Sequence, residues 1–587
     1  MKWTLNTLQQ AGVIDHFDTF FAKYICPQGG SETLKVALAL LRRANGLGNV
    51  AISLQQLALS ELTVDETTHS FEPPTADEIK QELENSGLLA SSEQTGPIVL
   101  EGDLLYLQKY YDYQSRFIEN LTQRLSQPDS KVTSAQQAQL EQWFTTPKAL
   151  GQKEACLLAL KTNFMILTGG PGTGKTTTAF KILRLIQEGQ LSNGLSPLRM
   201  RLLAPTGKAS IRLTRTIEEQ KQDLPNGSPI ETVFEVQAET IHRFLGYDPV
   251  NPSSFLHHKT RQVDCELVLV DEASMIDLPL FCKLLEAIPT SARLILMGDP
   301  NQLASVESGA VLKDLVSVSA PQRSTDQPTS FLPLSKTKGS LAEHHRHLSE
   351  SFRFGDQLAL MEMCSAVLSG ADHLHSFFDG KALCYSQATE PGGLKKALSP
   401  IIETFYAPLW SAKKVEQGIE ILNNQAILCA FKQGPFGVQG VNQLAESIAN
   451  QRTDGVKCWP LMITKNNPAL GLFNGDVGLA WPEHGKTKVW FKFGKDLVSY
   501  PLGLLPEYVV AYGSTVHKSQ GSEYHHIALI LPPVFKEGLS RELVYTALTR
   551  SKEKFSFIGD LEVFEQSLSV RIQRQSGLSR TFGTSSA

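Results

Sequence analysis

The sequence lacks the features of a membrane-spanning or secreted chain. Nowhere in it is there an unbroken apolar run of about 18 residues, the length that a helix needs to cross a bilayer. Residues 1–16 contain no basic stretch followed by an apolar core, so they do not resemble a secretory signal. We therefore expect no membrane partner and a cytoplasmic location.

Cysteine pairs are also absent, because the 8 cysteines are scattered and form no C-x-x-C motif. This argues against a zinc or iron–sulfur site and favours reduced thiols. The histidine-rich run at 343–347 has no further acidic or cysteine partner at ligand spacing, so we interpret it as a solvated loop. No separate pair of acidic residues indicates a two-metal nuclease.

Basic residues are not in excess, since the net charge is −5. A nucleic acid would therefore have to bind in a local basic channel, because the overall field repels a polyanion. Hydrophobic residues make up 41% and charged residues 20% of the chain, which is ordinary for a soluble globular protein. The length of 587 residues favours roughly three or four domains.

A phosphate-binding motif is present at 169–178, which reads GGPGTGKTTT and fits G-x-x-x-x-G-K-[ST]. It follows an apolar run at 164–167 and precedes a helix-compatible stretch, which is the context that the motif requires. Its backbone N–H groups can wrap phosphates, Lys175 can reach the β- and γ-phosphates, and the Thr176 hydroxyl can ligate Mg²⁺. The predicted nucleotide-binding residues are Gly169, Gly170, Pro171, Gly172, Thr173, Gly174, Lys175, Thr176 and Thr177.

Further strand-like runs end in residues suited to nucleotide hydrolysis. The run 267–270 delivers Asp271 and Glu272, a Walker B arrangement in which the first acid holds Mg²⁺ and the second polarises water. Gln302 follows the next strand, where it can touch the γ-phosphate and the attacking water. Upstream, Gln152 is a candidate for reading adenine through a bidentate hydrogen bond.

Two arginines in the second half of the chain are candidate arginine fingers. Arg353 lies in the sequence SFRF, and Arg550 ends the run VYTALTR. If the two halves face each other across a cleft, both can reach the γ-phosphate, an interaction worth on the order of 10³–10⁵ in rate. The predicted catalytic residues are Lys175, Asp271, Glu272, Gln302, Arg353 and Arg550, with Mg²⁺ held by Thr176 and Asp271.

Together these motifs resemble those of superfamily 1 helicases, in the order that the family shows. Besides the motifs above, the chain contains APTGKAS (204–210), ETIHRFLG (239–246), GDPNQLASVESG (298–309) and STVHKSQGSE (514–523). The wording HKSQGSE is similar to the superfamily 1B branch that includes Pif-type helicases. The segments at 434–442 and 471–478, together with the short helical N-terminal block, favour the RecD family, the alpha chains of bacterial RecBCD (exodeoxyribonuclease V).

The resemblance implies an ATP-dependent DNA helicase of 5′ to 3′ polarity, working with RecB-like and RecC-like subunits on DNA ends in recombination and repair. Exonuclease activity is expected only from the complex. Alternatives are a stand-alone Pif-type or RecD-related helicase, and a nucleotide-gated subunit that clamps DNA without unwinding it. The predicted contacts to single-stranded DNA are Thr206, Lys208, His242, Arg243, Thr515, His517 and Lys518.

The expected fold class is α/β, because strand-like runs alternate with helical patterns in both halves. The resemblance implies two RecA-like P-loop domains with a small SH3-like β insertion and an N-terminal all-α domain that docks partners. The expected boundaries are 1–118 for the helical domain, 119–338 for the first RecA-like domain, 339–440 with 506–587 for the second, and 441–505 for the insertion. Residues 321–338 are predicted to be a flexible surface excursion.

Overall fold

The computed structural model describes residues 1–582 except 27–28, 65–66, 91–94, 225–227, 229, 247–253, 320–340, 351–357, 371–373, 453–457, 468 and 494–495. The predicted excursion at 321–338 and the candidate arginine Arg353 lie outside the described residues. Within the described part, no helix combines the length and the apolar character that crossing a membrane requires.

The N-terminal region (1–125) is mainly helical. The expectation of an all-α domain is wrong, because the region also contains strands. An antiparallel sheet in the order β1-β5-β4 and a β2–β3 hairpin accompany its helices. Two apolar runs flank Gly102, whose φ of 64° allows the turn between β4 and β5. The elements are α1 Leu5–Gln10, α2 His16–Ile25, α3 Glu32–Gly46, β1 Ala51–Ser53, α4 Leu54–Leu57, β2 Glu61–Val64, β3 Thr67–Ser70, α5 Ala76–Asn85, β4 Ile98–Glu101, β5 Leu104–Leu107 and α6 Gln108–Leu125.

The first lobe is built on a parallel sheet in the order β11-β6-β10-β9-β7-β8. Alternate residues of β6 enter different cores: Phe164 and Ile166 face one core, and Met165 and Leu167 the other. Burial on both faces explains why the strands are apolar runs. The elements are α7 Ser134–Trp143, α8 Leu150–Lys161, β6 Phe164–Gly169, α9 Lys175–Ser192, β7 Met200–Ala204, α10 Gly207–Lys221, β8 Glu239–Thr240, α11 Ile241–Leu245, β9 Leu267–Val270, α12 Leu278–Ala287, β10 Arg293–Gly298, α13 Val311–Ser319 and β11 His345–Leu348.

The histidine-rich run is not a solvated loop, because it forms the edge strand β11. This strand pairs in parallel with the strand before the phosphate-binding loop, with His345 opposite Ile166. Thr168 Oγ1 lies 2.7 Å from His345 Nε2, and burial lowers the pKa of His345 to about 4. The sheet of the first lobe therefore extends to Leu348, beyond the boundary expected at residue 338.

The second lobe has its own parallel sheet, in the order β12-β21-β20-β13-β19. The apolar runs near 425–430, 527–531 and 555–558 lie in β13, β20 and β21. The elements are α14 Leu358–Ser369, β12 Leu383–Gln387, α15 Pro391–Trp410, α16 Val415–Asn424, β13 Gln425–Cys429, α17 Val438–Gln451, β19 Gly513–Thr515, β20 Tyr524–Ile530, α18 Arg541–Thr549, β21 Ser551–Gly559, α19 Leu561–Ser569 and α20 Leu578–Phe582.

A β-rich insertion lies between α17 and β19, as predicted. Its antiparallel strands follow the order β17-β16-β15-β14-β18. Residues 508–510, expected to belong to the second RecA-like domain, pair here as β18, so the insertion extends beyond the expected boundary at residue 505. An SH3-like fold for this insertion stays a prediction. The strands are β14 Trp459–Ile463, β15 Val477–Glu483, β16 Lys486–Phe493, β17 Asp496–Pro501 and β18 Tyr508–Val510.

Helix α6 fastens the N-terminal region to the first lobe. Phe117 packs edge-on against Phe281 of α12, with ring centroids 5.5 Å apart. The buried Arg124 guanidinium donates hydrogen bonds to the carbonyls of Leu285, Ile288 and Ala292, at the end of α12 and in the turn that follows it. These carbonyls have no further helical partners, so Arg124 caps the helix end while joining two parts of the chain.

Replacing Arg124 with alanine should lower the stability of the protein. The substitution leaves buried carbonyls without donors, and we expect a loss of about 2–4 kcal/mol in the free energy of unfolding. The exposed neighbour Gln123 provides the control, since Gln123→Ala should change it by less than about 0.5 kcal/mol. Denaturant unfolding followed by circular dichroism measures both; equal midpoints for the two variants would contradict the assignment.

Candidate nucleotide and DNA site

The phosphate-binding loop connects β6 to α9, whose first residue is Lys175. Gly172 and Gly174 have φ values of 76° and 78°, a conformation that glycine adopts without strain. Lys175 Nζ donates to the carbonyl oxygens of Gly169 at 2.6 Å and Gly170 at 3.0 Å. Burial lowers the pKa of Lys175, and nearby carboxylates, Asp299 first, oppose this shift. The loop is thus shaped to receive phosphate, with its lysine folded back against it.

The loop opens into a cleft of about 1150 Å³ between the two lobes and the insertion. The first lobe contributes the loop, the two acids after β9, and the glutamine after β10. The second lobe contributes the arginine at the end of α18. The sequence-predicted residues that line the cleft are Gly170, Pro171, Gly172, Thr173, Gly174, Lys175, Thr176, Thr177, Lys208, Asp271, Glu272, Gln302, Lys518 and Arg550.

The two acids after β9 lie side by side in the cleft. Burial raises the pKa of Asp271, and the neighbouring Glu272 carboxylate raises it further. Glu272 has a φ of 52°, a left-handed conformation that is strained for a residue with a side chain. The Thr176 hydroxyl and the Asp271 carboxylate are oxygen donors of the kind that Mg²⁺ prefers, and a cation there would offset the buried negative charge. These residues therefore fit the expected magnesium ion.

Arg550 lies on the opposite wall from the loop. Its side chain is buried, and Nη1 lies 4.0 Å from Glu272 Oε1. Nη1 also donates to the Ser522 carbonyl at 3.3 Å, whereas the buried Nε has no hydrogen-bond partner among the described residues. Burial lowers the pKa of Arg550, and Glu272 is the main group opposing this shift. A guanidinium with an unused donor faces the acids of the other lobe.

Gln302 belongs to a network that the sequence did not reveal. Its Nε2 donates to Asp299 Oδ2 at 3.3 Å, and the Tyr545 hydroxyl of the second lobe donates to the same oxygen at 3.1 Å. Burial raises the pKa of Asp299, while Lys175 opposes this shift. Asp299 and Tyr545 were not predicted as site residues, although both lie inside motifs given above, Asp299 directly after β10 and Tyr545 within VYTALTR. Strand-end position was the signal for Asp299.

The residue after Gln302 is hydrogen-bonded to the second lobe through both of its backbone groups. Leu303 N–H donates to Thr546 Oγ1 at 2.8 Å, and Gln520 Nε2 donates to the Leu303 carbonyl at 2.9 Å. Both side chains come from motifs of the second lobe. A movement between the lobes must therefore pull on the backbone next to Gln302.

Arg212 of α10 is a further cleft residue that was not predicted. Its Nη2 lies 2.6 Å from Glu523 of the second lobe, and its Nη1 lies 3.7 Å from Glu272. Lys552 Nζ lies 3.8 Å from the other Glu523 oxygen. The available signal was spacing, because Arg212 follows Lys208 by four positions and thus shares its helix face. Arg212 links the acids of the two lobes.

Gln152 is buried in α8 and is not among the residues that line the cleft. Its Nε2 donates to the Thr173 carbonyl at 3.4 Å, so the amide supports the phosphate-binding loop from behind. Recognition of adenine by Gln152 stays a prediction, and this geometry does not support it.

Lys208 and Lys518 line the cleft and, with Lys432 near Lys518, form a basic cluster. Burial lowers the pKa of Lys518, and the positive charges of Lys432 and Lys208 lower it further. Lys432 was missed, although it follows closely after β13, where ligands of parallel sheets gather. Asp476 of the insertion also lies near Lys208. The predicted Lys208 and Lys518 are therefore brought together, with Lys432 as a third member.

The remaining predicted DNA contacts have different environments. Thr206 and Thr515 cap helices, accepting hydrogen bonds from Ala209 N and Lys518 N. His517 is half-buried, which lowers its pKa, and Lys432 lies nearby. His242 and Arg243 lie on α11 and are not among the residues that line the cleft. The structure thus gathers part of the predicted set around the basic cluster and leaves the α11 pair apart.

Comparison with known proteins agrees with this geometry. Family models match an AAA domain at 152–308, a UvrD-like helicase C-terminal domain at 510–558, and "RecBCD enzyme subunit RecD, N-terminal domain" at 10–106. A relative named "ATP-dependent RecD2 DNA helicase", from Deinococcus radiodurans, is 26% identical over 71% of this chain and 50% of its own length.

Relatives named "RecBCD enzyme subunit RecD" match over most of their length. The one from Haemophilus influenzae is 31% identical over 83% of this chain and 81% of its own length. The one from Mycolicibacterium smegmatis is 30% identical over 92% of each chain. The chain therefore belongs to the RecD family of RecBCD enzyme subunits.

Proposed function

We propose that the chain is an ATP-dependent DNA helicase and translocase of 5′ to 3′ polarity, and a subunit of a RecBCD-type exodeoxyribonuclease V complex. The observation that carries the proposal is the convergence of Lys175, Asp271, Glu272 and Gln302 on one wall of the cleft, with Arg550 on the other. The chain matches the RecD N-terminal domain model at 10–106 and covers 92% of a RecD subunit, which favours a subunit over a stand-alone enzyme.

The residues in the cleft support hydrolysis of ATP by water. Lys175 and the loop N–H groups hold the β- and γ-phosphates, while Thr176 and Asp271 would hold the Mg²⁺ that neutralises phosphate charge. Glu272 orients a water and accepts its proton as the oxygen attacks phosphorus and the bond to ADP breaks. Arg550 stabilises the negative charge that develops on the transferred group. Arg212 holds the Glu272 carboxylate in place.

Hydrolysis drives movement because both lobes contact the same nucleotide and the same strand. The γ-phosphate draws Arg550 toward the first lobe, and its loss releases that attraction. The cations Lys208 on one lobe, and Lys432 and Lys518 on the other, then change their spacing along the DNA backbone. Since Leu303 is bonded to the second lobe, the same movement shifts the backbone beside Gln302.

Replacing Lys175 with glutamine tests the enzymatic part of the proposal. We expect DNA-stimulated ATP hydrolysis to fall by at least roughly 100-fold, because the phosphates lose their charge partner. Lys161→Gln at the exposed end of α8 is the control and should retain full turnover.

Strand displacement on a duplex with a 5′ tail is measured in parallel. The unmodified chain should separate the strands and Lys175→Gln should not. A chain that binds the tail, hydrolyses ATP and displaces nothing would be a clamp rather than a helicase.

The partner-binding part of the proposal rests on α2. Phe17, Phe20 and Tyr24 lie along one face and are 56%, 64% and 77% exposed. The rings of Phe20 and Tyr24 stack with centroids 6.1 Å apart. Large exposed aromatics of this kind mark protein interfaces. The helix lies within the segment that matches the RecD N-terminal family, so we assign this face, the α2 stripe, to a RecB-like or RecC-like partner.

Substituting serine for both Phe20 and Tyr24 should weaken binding to the partner subunits by at least roughly 30-fold, because aromatic anchors dominate interface energies. The ATPase activity of the isolated chain should not change. The control is Leu504→Ser, which alters an exposed apolar residue of the insertion. Co-elution of the purified subunits in gel filtration, titrated by concentration, measures the effect. Unchanged affinity in the double variant would remove the α2 stripe from the interface.

A further inference from the structure

The loop that carries Gln302 continues through Ser305–Gly309 to the start of α13. Its two parts are hydrogen-bonded to different regions of the protein. Its first part is bonded to the second lobe at Leu303. Its second part turns away from the cleft and is surrounded by segments from the two ends of the chain. The loop is therefore a place where distant parts of the sequence meet next to a catalytic side chain.

Arg574 organises the second part of this loop. Its Nη1 lies 3.2 Å from Ser305 Oγ, 2.9 Å from the Glu307 carbonyl and 3.1 Å from the Gly309 carbonyl. Ser305 Oγ also donates within the loop, at 2.8 Å to the Gly309 carbonyl. One guanidinium thus satisfies several acceptors of a single tight turn, which fixes the turn's shape.

The N-terminal region contacts the same turn. Gly309 N–H donates to the Gly48 carbonyl at 2.9 Å, and Ser308 Oγ donates to the Asn45 carbonyl at 3.1 Å. Gly48 has a φ of 90°, and a Cβ added there would lie 2.4 Å from the Arg574 Cζ. The end of α3 is therefore packed directly on the guanidinium that shapes the turn.

The segment that bears Arg574 is hydrogen-bonded to the N-terminal region and, through Lys313, to α18. Gln575 N–H donates to Asn49 Oδ1 at 2.8 Å, which joins it to the N-terminal region. Lys313 Nζ donates to the Ile572 carbonyl at 2.8 Å and to Glu542 Oε1 of α18 at 2.9 Å, which joins it to the helix that delivers Arg550. We call Asn45–Asn49 (45–49), 305–309 and 574–575 together the junction.

We propose that Arg574 is a positioning residue for the Gln302 loop, and that through the junction the N-terminal region controls DNA-stimulated ATP turnover. This inference rests on the proposed helicase function. The physical reason is that the loop can keep Gln302 in position only while the turn at 305–309, at the other end of the loop, is held in place. Helix α3 also bears Arg42, which lies over the Phe17 ring at 4.5 Å, so the α2 stripe and the junction are connected through one helix.

Two variants of the full-length chain test the junction. Arg574→Gln removes the charge and most of the donors, whereas Gly48→Ala leaves Arg574 intact and pushes a methyl group against it. Gly29→Ala is a matched control, because Gly29 has a φ of 89° with no heavy atom within 4 Å of an added Cβ. It carries the same backbone strain without the contact.

The measurement is steady-state ATP hydrolysis with and without single-stranded DNA. We expect Arg574→Gln and Gly48→Ala to lower the DNA-stimulated kcat roughly tenfold, with the KM for ATP and the DNA-free rate within about twofold. Gly29→Ala should match the unmodified chain. Arg574→Lys should recover much of the loss, since an ammonium can still donate to several carbonyls.

Two outcomes overturn the inference. One is full DNA stimulation in a folded Arg574→Gln or Gly48→Ala variant. The other is an equal loss of the ATP hydrolysis rate with and without DNA, which would mean that the junction only stabilises the structure. If the unmodified chain shows no DNA-stimulated hydrolysis, the proposed function itself fails and the inference with it; full stimulation in both the unmodified chain and the variants removes the inference alone.

Discussion

Charge balance in the cleft is the constraint on which the rest of the structure depends. Asp271, Glu272 and Asp299 are held close together and mostly out of water, beside Lys175 of the same lobe and facing Arg550 of the other lobe. Burying a charge without a partner is costly, and the acids of the first lobe are balanced by Lys175 of their own lobe together with Arg550 of the second lobe. A triphosphate with its cation changes this balance, and a change in the preferred distance between the lobes follows.

Parallel β-sheet architecture places these groups. In each lobe the strands run in one direction, so the residues that follow them gather at one edge, and the two edges face each other. The backbone near the reaction is strained at Glu272, where the surrounding strand and loop hold a conformation that an isolated chain would avoid. The cores on either side of β6 supply the rigidity that this requires.

The positions of many cleft residues could be predicted from the sequence, for a physical reason. A buried parallel strand is an apolar run, and the residues that follow it are fixed in space by the sheet. The phosphate-binding motif and the apolar strands therefore sufficed to predict that Lys175, Asp271 and Gln302 lie in one cleft. Glu523 meeting Arg212, or Arg574 meeting Glu307, leaves no such signal, because the partners are hundreds of positions apart and come from loops and helix faces. The strand β11 was missed because it is short and polar, and its burial comes from pairing with β6.

The contacts between the N-terminal region and residues 575–580 have a consequence for biosynthesis. Val50 N–H donates to the Gln575 carbonyl, Gly577 N–H donates to Gln114 at 2.8 Å, and Arg580 pairs with Asp103. A segment that is made early is thus completed by residues that are made several hundred positions later. Domains generally fold one after another during translation. Here β1 at the edge of the N-terminal sheet lacks its bonds to the Gln575 carbonyl until residue 575 has been made, and the nascent chain must be kept from pairing elsewhere until then.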